Sequence, residues 1–225
     1  MAMRFKPYRT WIFDCDGVLL DSNSIKTDAF YETAIPYGEV QAQRLVEYHK
    51  QFGGISRFRK FEYFFQKILG LVDFSTELEI ALKKYGELVY GKLLTCPETE
   101  GLRELLRIIS HGRKIVISGG MQSELKDVFK NRGLDIFFDA IYGSPSTKME
   151  ILDRERVAGH LKEPLIFLGD SRHDYEVSRT YNADFIFVYQ YTEFSDWKGF
   201  FKDKEIICVE NLRHFSSLVE KSIGL

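Results

Sequence analysis

Residues 11–22 read Trp-Ile-Phe-Asp-Cys-Asp-Gly-Val-Leu-Leu-Asp-Ser. Three apolar residues run straight into Asp14 and Asp16, and Gly17 permits a sharp departure of the backbone just beyond them. A short apolar run ended by polar and glycine residues marks a strand buried in a parallel sheet. Residues two apart in an extended chain face the same side, so both carboxylates share one face of the strand end. Placed about 5 Å apart at an effective dielectric near 20, they repel by roughly 3 kcal/mol and call for a proton, a cation or both. A magnesium ion would supply the cation. Taken alone, the stretch also fits a strand that ends in a solvated acidic turn.

Further apolar runs lie at 115–117, 165–168, 185–189 and 206–209. Between them come helical spacings, such as Leu102, Leu105, Leu106, Ile109, and then Leu125, Val128, Phe129 closed by Gly133. The alternation predicts an α/β fold, a doubly wound parallel sheet of Rossmann-like kind. Residues 22–94 break it with helical periods (Ile25, Ala29, Ala34; Phe58, Phe61, Phe65, Leu69; Leu78, Leu82, Tyr85, Val89) and no strand. The expected domains are a core of 1–21 and 95–225 and an inserted helical cap of 22–94. Thr76 and Glu79 are spaced as a capping box for the last cap helix, and Pro97 marks the return to the core.

The chain has 225 residues, enough for one sizeable core with a smaller insertion. Its 31 lysines and arginines stand against 33 aspartates and glutamates, a formal charge of -2 that offers no broad field to nucleic acid or an anionic membrane. Cys15, Cys96 and Cys208 lie far apart without CxxC spacing, which suggests neither a zinc site nor a disulfide framework and fits a reducing cytoplasm. The basic start meets Asp14 and Asp16 too soon to be a signal peptide, and no run reaches the roughly 18 apolar residues of a membrane span. A cytoplasmic protein is expected, with a small molecule rather than a nucleic acid or a membrane as its partner; nothing speaks to oligomeric state.

Three more segments place chemistry at strand or helix ends. In Lys-Ile-Val-Ile-Ser-Gly-Gly (114–120), Ser118 ends a strand, and Gly119 and Gly120 let backbone N–H groups approach an oxyanion, with a helix starting near Gln122. In Ser-Pro-Ser-Thr-Lys-Met-Glu (144–150), Lys148 falls at a helix start, where a cation is misplaced unless an anion lies nearby. In Leu-Ile-Phe-Leu-Gly-Asp-Ser-Arg-His-Asp (165–174), Asp170 and Asp174 offer the hard oxygen ligands that suit magnesium. Each has a plainer reading alone: serine and glycine end many strands, and most lysines are solvated. His173 lacks a second histidine or cysteine at ligand spacing and reads as a surface residue rather than a zinc ligand. In an open parallel sheet, ligands bind beyond the carboxyl ends of the strands, so all four segments can converge on one crevice.

In this order, DCDGVLLDS, Ser118, Lys148 and GDSRHD resemble the haloacid dehalogenase superfamily, whose signature is DxDGxxxDS, a strand-end Ser or Thr, a Lys and GDxxxD. The resemblance spans nearly the whole chain, and the helical insertion resembles the cap of the phosphoglycolate phosphatase and β-phosphoglucomutase branch. It implies that Asp14 attacks phosphorus to form an aspartyl phosphate, that Asp16 protonates the leaving alcohol and later activates water, and that Ser118 and Lys148 hold the phosphoryl oxygens. It further implies magnesium bound by Asp14, Asp170 and the backbone carbonyl of Asp16, with Asp174 orienting the metal's surroundings or Lys148.

An acid at Asp16 favours phosphate esters, since dehalogenase and phosphonatase branches lack one there. In the cap, Gly-Gly-Ile-Ser-Arg-Phe-Arg-Lys (53–60) resembles the stretch by which β-phosphoglucomutases hold a second phosphate, with Arg57 at the matching position. Arg59 and Lys60 are weaker candidates for the same role, the plainer reading of both being the solvated face of the helix carrying Phe58, Phe61 and Phe65. Two departures from the family pattern are Lys26, where many members carry a histidine, and Tyr181-Asn182-Ala183, where an Ala-Gly pair is usual. The expected function is a magnesium-dependent phosphatase acting on a small phosphorylated metabolite such as a sugar phosphate. The rivals are a phosphosugar mutase and a non-catalytic phosphate-binding regulatory module.

Overall fold

The computed structural model describes residues 7–109 and 111–223; residues 1–6, the basic start of the expected core, lie outside them. Six parallel strands form one sheet in the order β3-β2-β1-β4-β5-β6: β1 Thr10–Phe13, β2 Arg113–Met121, β3 Ala140–Ser144, β4 Leu165–Gly169, β5 Asp184–Val188 and β6 Ile207–Val209. Both faces are covered, and the side chains sort by the two-residue period of a strand. Trp11, Phe13, Val116, Ile166, Leu168, Ile186 and Val188 enter one buried cluster, whereas Ile12, Ile115, Ile117, Phe167, Phe185 and Phe187 enter another. At about 1.5 to 3 kcal/mol for each large apolar side chain fully buried, these central strands anchor the fold.

The strand order reverses at β1, which pairs with β2 on one side and β4 on the other. The chain after β1 and after β4 therefore opens into the crevice where such sheets bind ligands. Five of the strands coincide with the apolar runs. The sixth, β3 (Ala-Ile-Tyr-Gly-Ser), is an edge strand whose mixed composition carries no apolar run.

Between β1 and helix α5 (Leu102–Ile108) the chain forms the inserted helical cap: α1 Asn23–Ala34, α2 Glu39–Gln51, α3 Arg57–Tyr63 and α4 Ser75–Thr95. Its interior is aromatic, with the Phe30 ring 4.5 Å from Tyr85 and 5.2 Å from Phe61. The period of Phe58, Phe61 and Phe65 breaks after Tyr63, where residues Phe64–Ile68 widen into a π-helical turn that buries Phe64 and Phe65 together. The Thr76–Glu79 capping box does not form. The helix starts two residues earlier, at Ser75, whose hydroxyl and N–H donate to Asp73 instead. Helix α2, whose mean hydropathy is low, has no counterpart among the sequence periods.

The remaining helices pack on the core: α6 Gln122–Asn131, α7 Lys148–Val157, α8 Arg172–Thr180, α9 Trp197–Phe201 and α10 Leu212–Ile223. Asn182 takes φ +53° after α8, supplying the left-handed turn for which glycine is the usual residue. Among the described residues no helix is long and apolar enough to cross a membrane.

Candidate active site

Asp14 follows β1 directly, its N–H donating to the Leu168 carbonyl at 2.9 Å, and it is almost fully buried. Lys148, at the start of α7, donates to Asp14 Oδ1 at 2.7 Å and to Asp174 Oδ1 at 2.5 Å. Thr147 and Glu150 form a capping box around that helix start, and the two carboxylates supply the anions its lysine needs. Burial works against the Lys148 charge, yet Asp14 and Asp174 outweigh it and hold its pKa above the ordinary lysine value. Asp174 is in turn fixed by Ser171, whose N–H and hydroxyl donate to Oδ2 at 3.2 and 2.6 Å.

Asp14, Asp170 and Asp174 are all buried and offer oxygens within 4.8 Å of one another. One lysine against three carboxylates leaves a deficit of positive charge. Burial, with Asp174 and Asp16 adding and Lys148 opposing, pushes the Asp14 pKa up to about 7. Asp170 is raised well above the carboxylate range by burial and then by Asp14 and Asp174. An all-oxygen, electron-rich cluster of this kind fits a hard divalent cation such as magnesium.

Two further residues shape the cluster. Asn23, first residue of the cap, donates to Asp170 Oδ2 at 2.7 Å and to the Tyr191 carbonyl at 2.8 Å. Gly17, at φ +75°, lies so close that any side chain there would run into Asp170 Oδ2 and Asn23 Nδ2. The DxDG spacing pointed to Gly17 as a turn; Asn23 carries no such signal.

Asp16 turns away from this cluster. Its Oδ1 accepts from the Ser22 hydroxyl at 2.6 Å, its Oδ2 is ion-paired with Lys26, and Ser118 Oγ lies 3.3 Å from the same Oδ2. Burial raises its pKa, but Lys26, Ser22 and Lys148 outweigh burial and bring it below the ordinary value. Ser118 Oγ also accepts from the Gly120 N–H at 3.0 Å.

The cap closes over this floor. A Cβ at Gly119 would stand 3.0 Å from the carbonyl oxygens of both Gly54 and Ile55, and one at Gly54 would stand 3.0 Å from Ser171 Oγ and 3.4 Å from His173. A side chain on either side of the seam would have to push its neighbours back by a few tenths of an ångström. Arg57 makes a two-point ion pair with Glu124 of α6 and lies 4.8 Å from the Tyr85 ring centroid. Glu193, from the loop after β5, accepts from the Thr27 hydroxyl at 2.6 and 2.7 Å. Asp14, Asp16, Gly119 and Asp170 line one pocket with Arg57 and Lys60.

The haloacid dehalogenase-like hydrolase family model matches residues 11–188, from the first strand through β5. The chain belongs to that family. No curated protein matches it in sequence. Solved structures share the fold, three of them as follows. One, a predicted phosphatase from Clostridium acetobutylicum, has a TM-score of 0.72 and 19% identity, covering 97% of this chain and 99% of its own. Another, assigned as a phosphoglycolate phosphatase, is from Lactobacillus plantarum, with a TM-score of 0.69, 17% identity and coverage of 96% and 100%. A third, assigned as a β-phosphoglucomutase, is from Thermotoga maritima, with a TM-score of 0.64, 19% identity and coverage of 94% and 99%.

Within this family frame, the structure brings Asp14, Asp16, Ser118, Gly119, Lys148, Asp170 and Asp174 to one end of the sheet. Arg57 faces them from the cap, already engaged by Glu124. Two expectations change. Lys60 is not on a solvated face: at 2% exposure it is buried in the pocket against His49 of α2. His173 is half-buried beneath Gly54 rather than a free surface residue. Lys26, the departure from the family pattern, is the ion-pair partner of Asp16. Arg59 is exposed as expected and pairs with Glu62.

Proposed function

We propose that this hydrolase is a magnesium-dependent phosphatase of a small phosphorylated metabolite. The observation that carries the reading is the placement of Asp14. It is a buried carboxylate at a strand end, held by Lys148, with the second acid Asp16 two residues on and Ser118 beside it. A site built only to bind phosphate has no use for two carboxylates where the anion must sit.

Asp14 attacks phosphorus, the ester P–O bond breaks, and Asp16 gives a proton to the leaving oxygen. Asp16 then takes a proton from water, whose oxygen attacks the aspartyl phosphate, releasing phosphate and restoring Asp14. Magnesium held by Asp14, Asp170 and the backbone carbonyl of Asp16 would offset the negative charge of the transferring group. Lys148 and the Ser118 hydroxyl are placed to hold its oxygens, and Gly119 to bring backbone N–H groups near. Asp174, with both oxygens engaged by Lys148 and Ser171, is a positioning residue. Asp16 in the closed geometry is a carboxylate clamped by Lys26 and Ser22, so turnover requires Lys26, on cap helix α1, to give way as substrate enters.

The test is phosphate release from a panel of phosphorylated metabolites with magnesium, sugar isomers being followed in parallel. Release that falls on the order of 10⁴-fold or more in Asp14→Asn is the expected result. Isomer formation without release would replace the phosphatase by a mutase, and silence across the panel would leave a non-catalytic phosphate-binding module.

A further inference from the structure

Of the lysines and arginines that line the pocket, Lys60 alone, among the described residues, has no carboxylate within ion-pair distance. Lys26 has Asp16, Arg57 has Glu124, Lys50 has Glu193 at 3.8 Å and Arg172 has Glu176 at 2.7 Å. Lys60 Nζ instead stands 2.6 Å from His49 Nδ1 and 5.5 Å from the centre of the Phe30 ring. An ammonium can only donate, so His49 Nδ1 accepts and the ring proton lies on Nε2, which faces Glu193 Oε2 at 3.5 Å. The Thr27 hydroxyl anchors Glu193 in turn. Burial, together with the Lys60 charge and against Glu193, pushes His49 down to about 4 and keeps it neutral. His49 thus holds the ammonium without cancelling its charge, with the Glu193 carboxylate on the far side of the imidazole. A buried cation with no counter-ion is costly in a finished structure, and an incoming anion would remove that cost.

We infer that Lys60 receives a second anionic group of the substrate, a carboxylate or a further phosphate, so that the substrates are phosphate esters acidic at both ends. The word substrate rests on the phosphatase reading; the subsite itself does not. Burial first, and the Lys26 charge next, against Asp16 and Glu193, bring the Lys60 pKa down to about 7. The charged and titratable groups that act on it are His49 of α2, Lys26 of α1, Glu193 after β5, Asp16 after β1 and Lys148 of α7. The subsite is therefore charged below neutrality and loses its charge above it.

The test is calorimetric binding, with magnesium, of two phosphonates that no phosphatase can cleave as esters: 3-phosphonopropionate, which ends in a carboxylate, and propylphosphonate, which ends in a methyl. Near pH 6 the carboxylate should strengthen binding to the native chain by about tenfold or more, as a charge-assisted hydrogen bond does. The advantage should shrink to about twofold or less in Lys60→Met, and fade in the native chain above about pH 8 while persisting in Lys60→Arg, whose guanidinium stays charged. Circular dichroism confirms that each variant folds, and if Lys60→Met does not, the pH profile of Lys60→Arg decides. No carboxylate advantage in the native chain, whether both phosphonates bind alike or neither binds, overturns the inference, as does an advantage that survives Lys60→Met. Phosphate release is measured separately. A chain that prefers the carboxylate but cleaves no ester keeps the subsite and loses the phosphatase, and the converse outcome does the opposite.

Discussion

On the floor of the pocket Lys148 stands between two carboxylates with a third close by; on the roof Lys60 stands between an imidazole and a phenyl ring. The floor carries more buried carboxylates than its own lysine can balance, and below neutrality the roof carries a buried positive charge with no carboxylate in ion-pair reach. The excesses have opposite sign and face the same enclosed space. A cation on the floor and an anion on the roof would settle both, which is the arrangement a metal-dependent enzyme for a doubly acidic phosphate ester needs. The two regions also differ in how they are held. The floor's Asp14, Lys148 and Asp174 are joined within the core, at a strand end and two helix starts, whereas the roof depends on pairs that cross from core to cap, such as Glu124 with Arg57 and Glu193 with Thr27.

The largest break in this contrast comes from removing the floor's lysine. Lys148→Met leaves Asp14 and Asp174 without their counter-ion, and breaking a buried pair from one side costs about 3 to 5 kcal/mol. Urea unfolding at neutral pH without magnesium should show that loss. It should be smaller near pH 5, below the raised pKa of Asp14, where that carboxyl is protonated. An equal loss at both pH values would mean that charge is not what Lys148 supplies.

A smaller effect concerns the metal. Because Asp14 titrates at about 7 in the fold and near 4 in the unfolded chain, and Asp170 is raised too, the folded state binds more protons across that window. Stability of the metal-free protein therefore falls as pH rises from about 4 to about 7. Magnesium should restore about 2 to 3 kcal/mol at a hundredfold excess over Kd near pH 7.5, and much less at pH 5, where binding must first displace protons. Thermal unfolding with and without magnesium at the two pH values measures this; a gain independent of pH would break the link between the cluster and the cation.

The floor was legible in the sequence because each of its residues follows an apolar run or opens a helix, so position along the chain already says position in space. Asp14, Asp16, Ser118 and Asp170 are of this kind. The roof was not. Lys60 was read as solvated because it sits among Phe58, Phe61 and Phe65 on α3, and its neighbour Arg59 does face solvent. What buries Lys60 is His49, on helix α2, which carries few apolar residues and so left no trace. Asn23 and Glu193 were missed for the same reason. Each acquires its role only by meeting a residue far away in the chain, Asp170 in one case and Thr27 in the other. Strand β3 escaped because an edge strand buries too little to need a continuous apolar run.

The smallest expected effect sharpens the roof rather than the floor. Glu124→Gln keeps the shape of the side chain and one acceptor for Arg57 but removes the charge that pairs with it across the cap seam. With Glu124 one-fifth exposed and Arg57 nearly buried, the pair should contribute about 1 kcal/mol, between the values of surface and buried pairs, and thermal unfolding should register that loss. Arg57 would then be as free of a counter-ion as Lys60 already is. If the roof attracts anions through uncompensated charge, the carboxylate-bearing phosphonate should bind Glu124→Gln about three- to tenfold more tightly than the native chain, an extra charge-assisted contact being the cause. If Arg57 serves only to fasten the cap, the same variant should bind it no better or more weakly, because a loosened cap must be closed again at the ligand's expense. The direction of that one shift separates an arginine that recognises from an arginine that clamps, and with it decides whether the roof holds one receptor for anions or two.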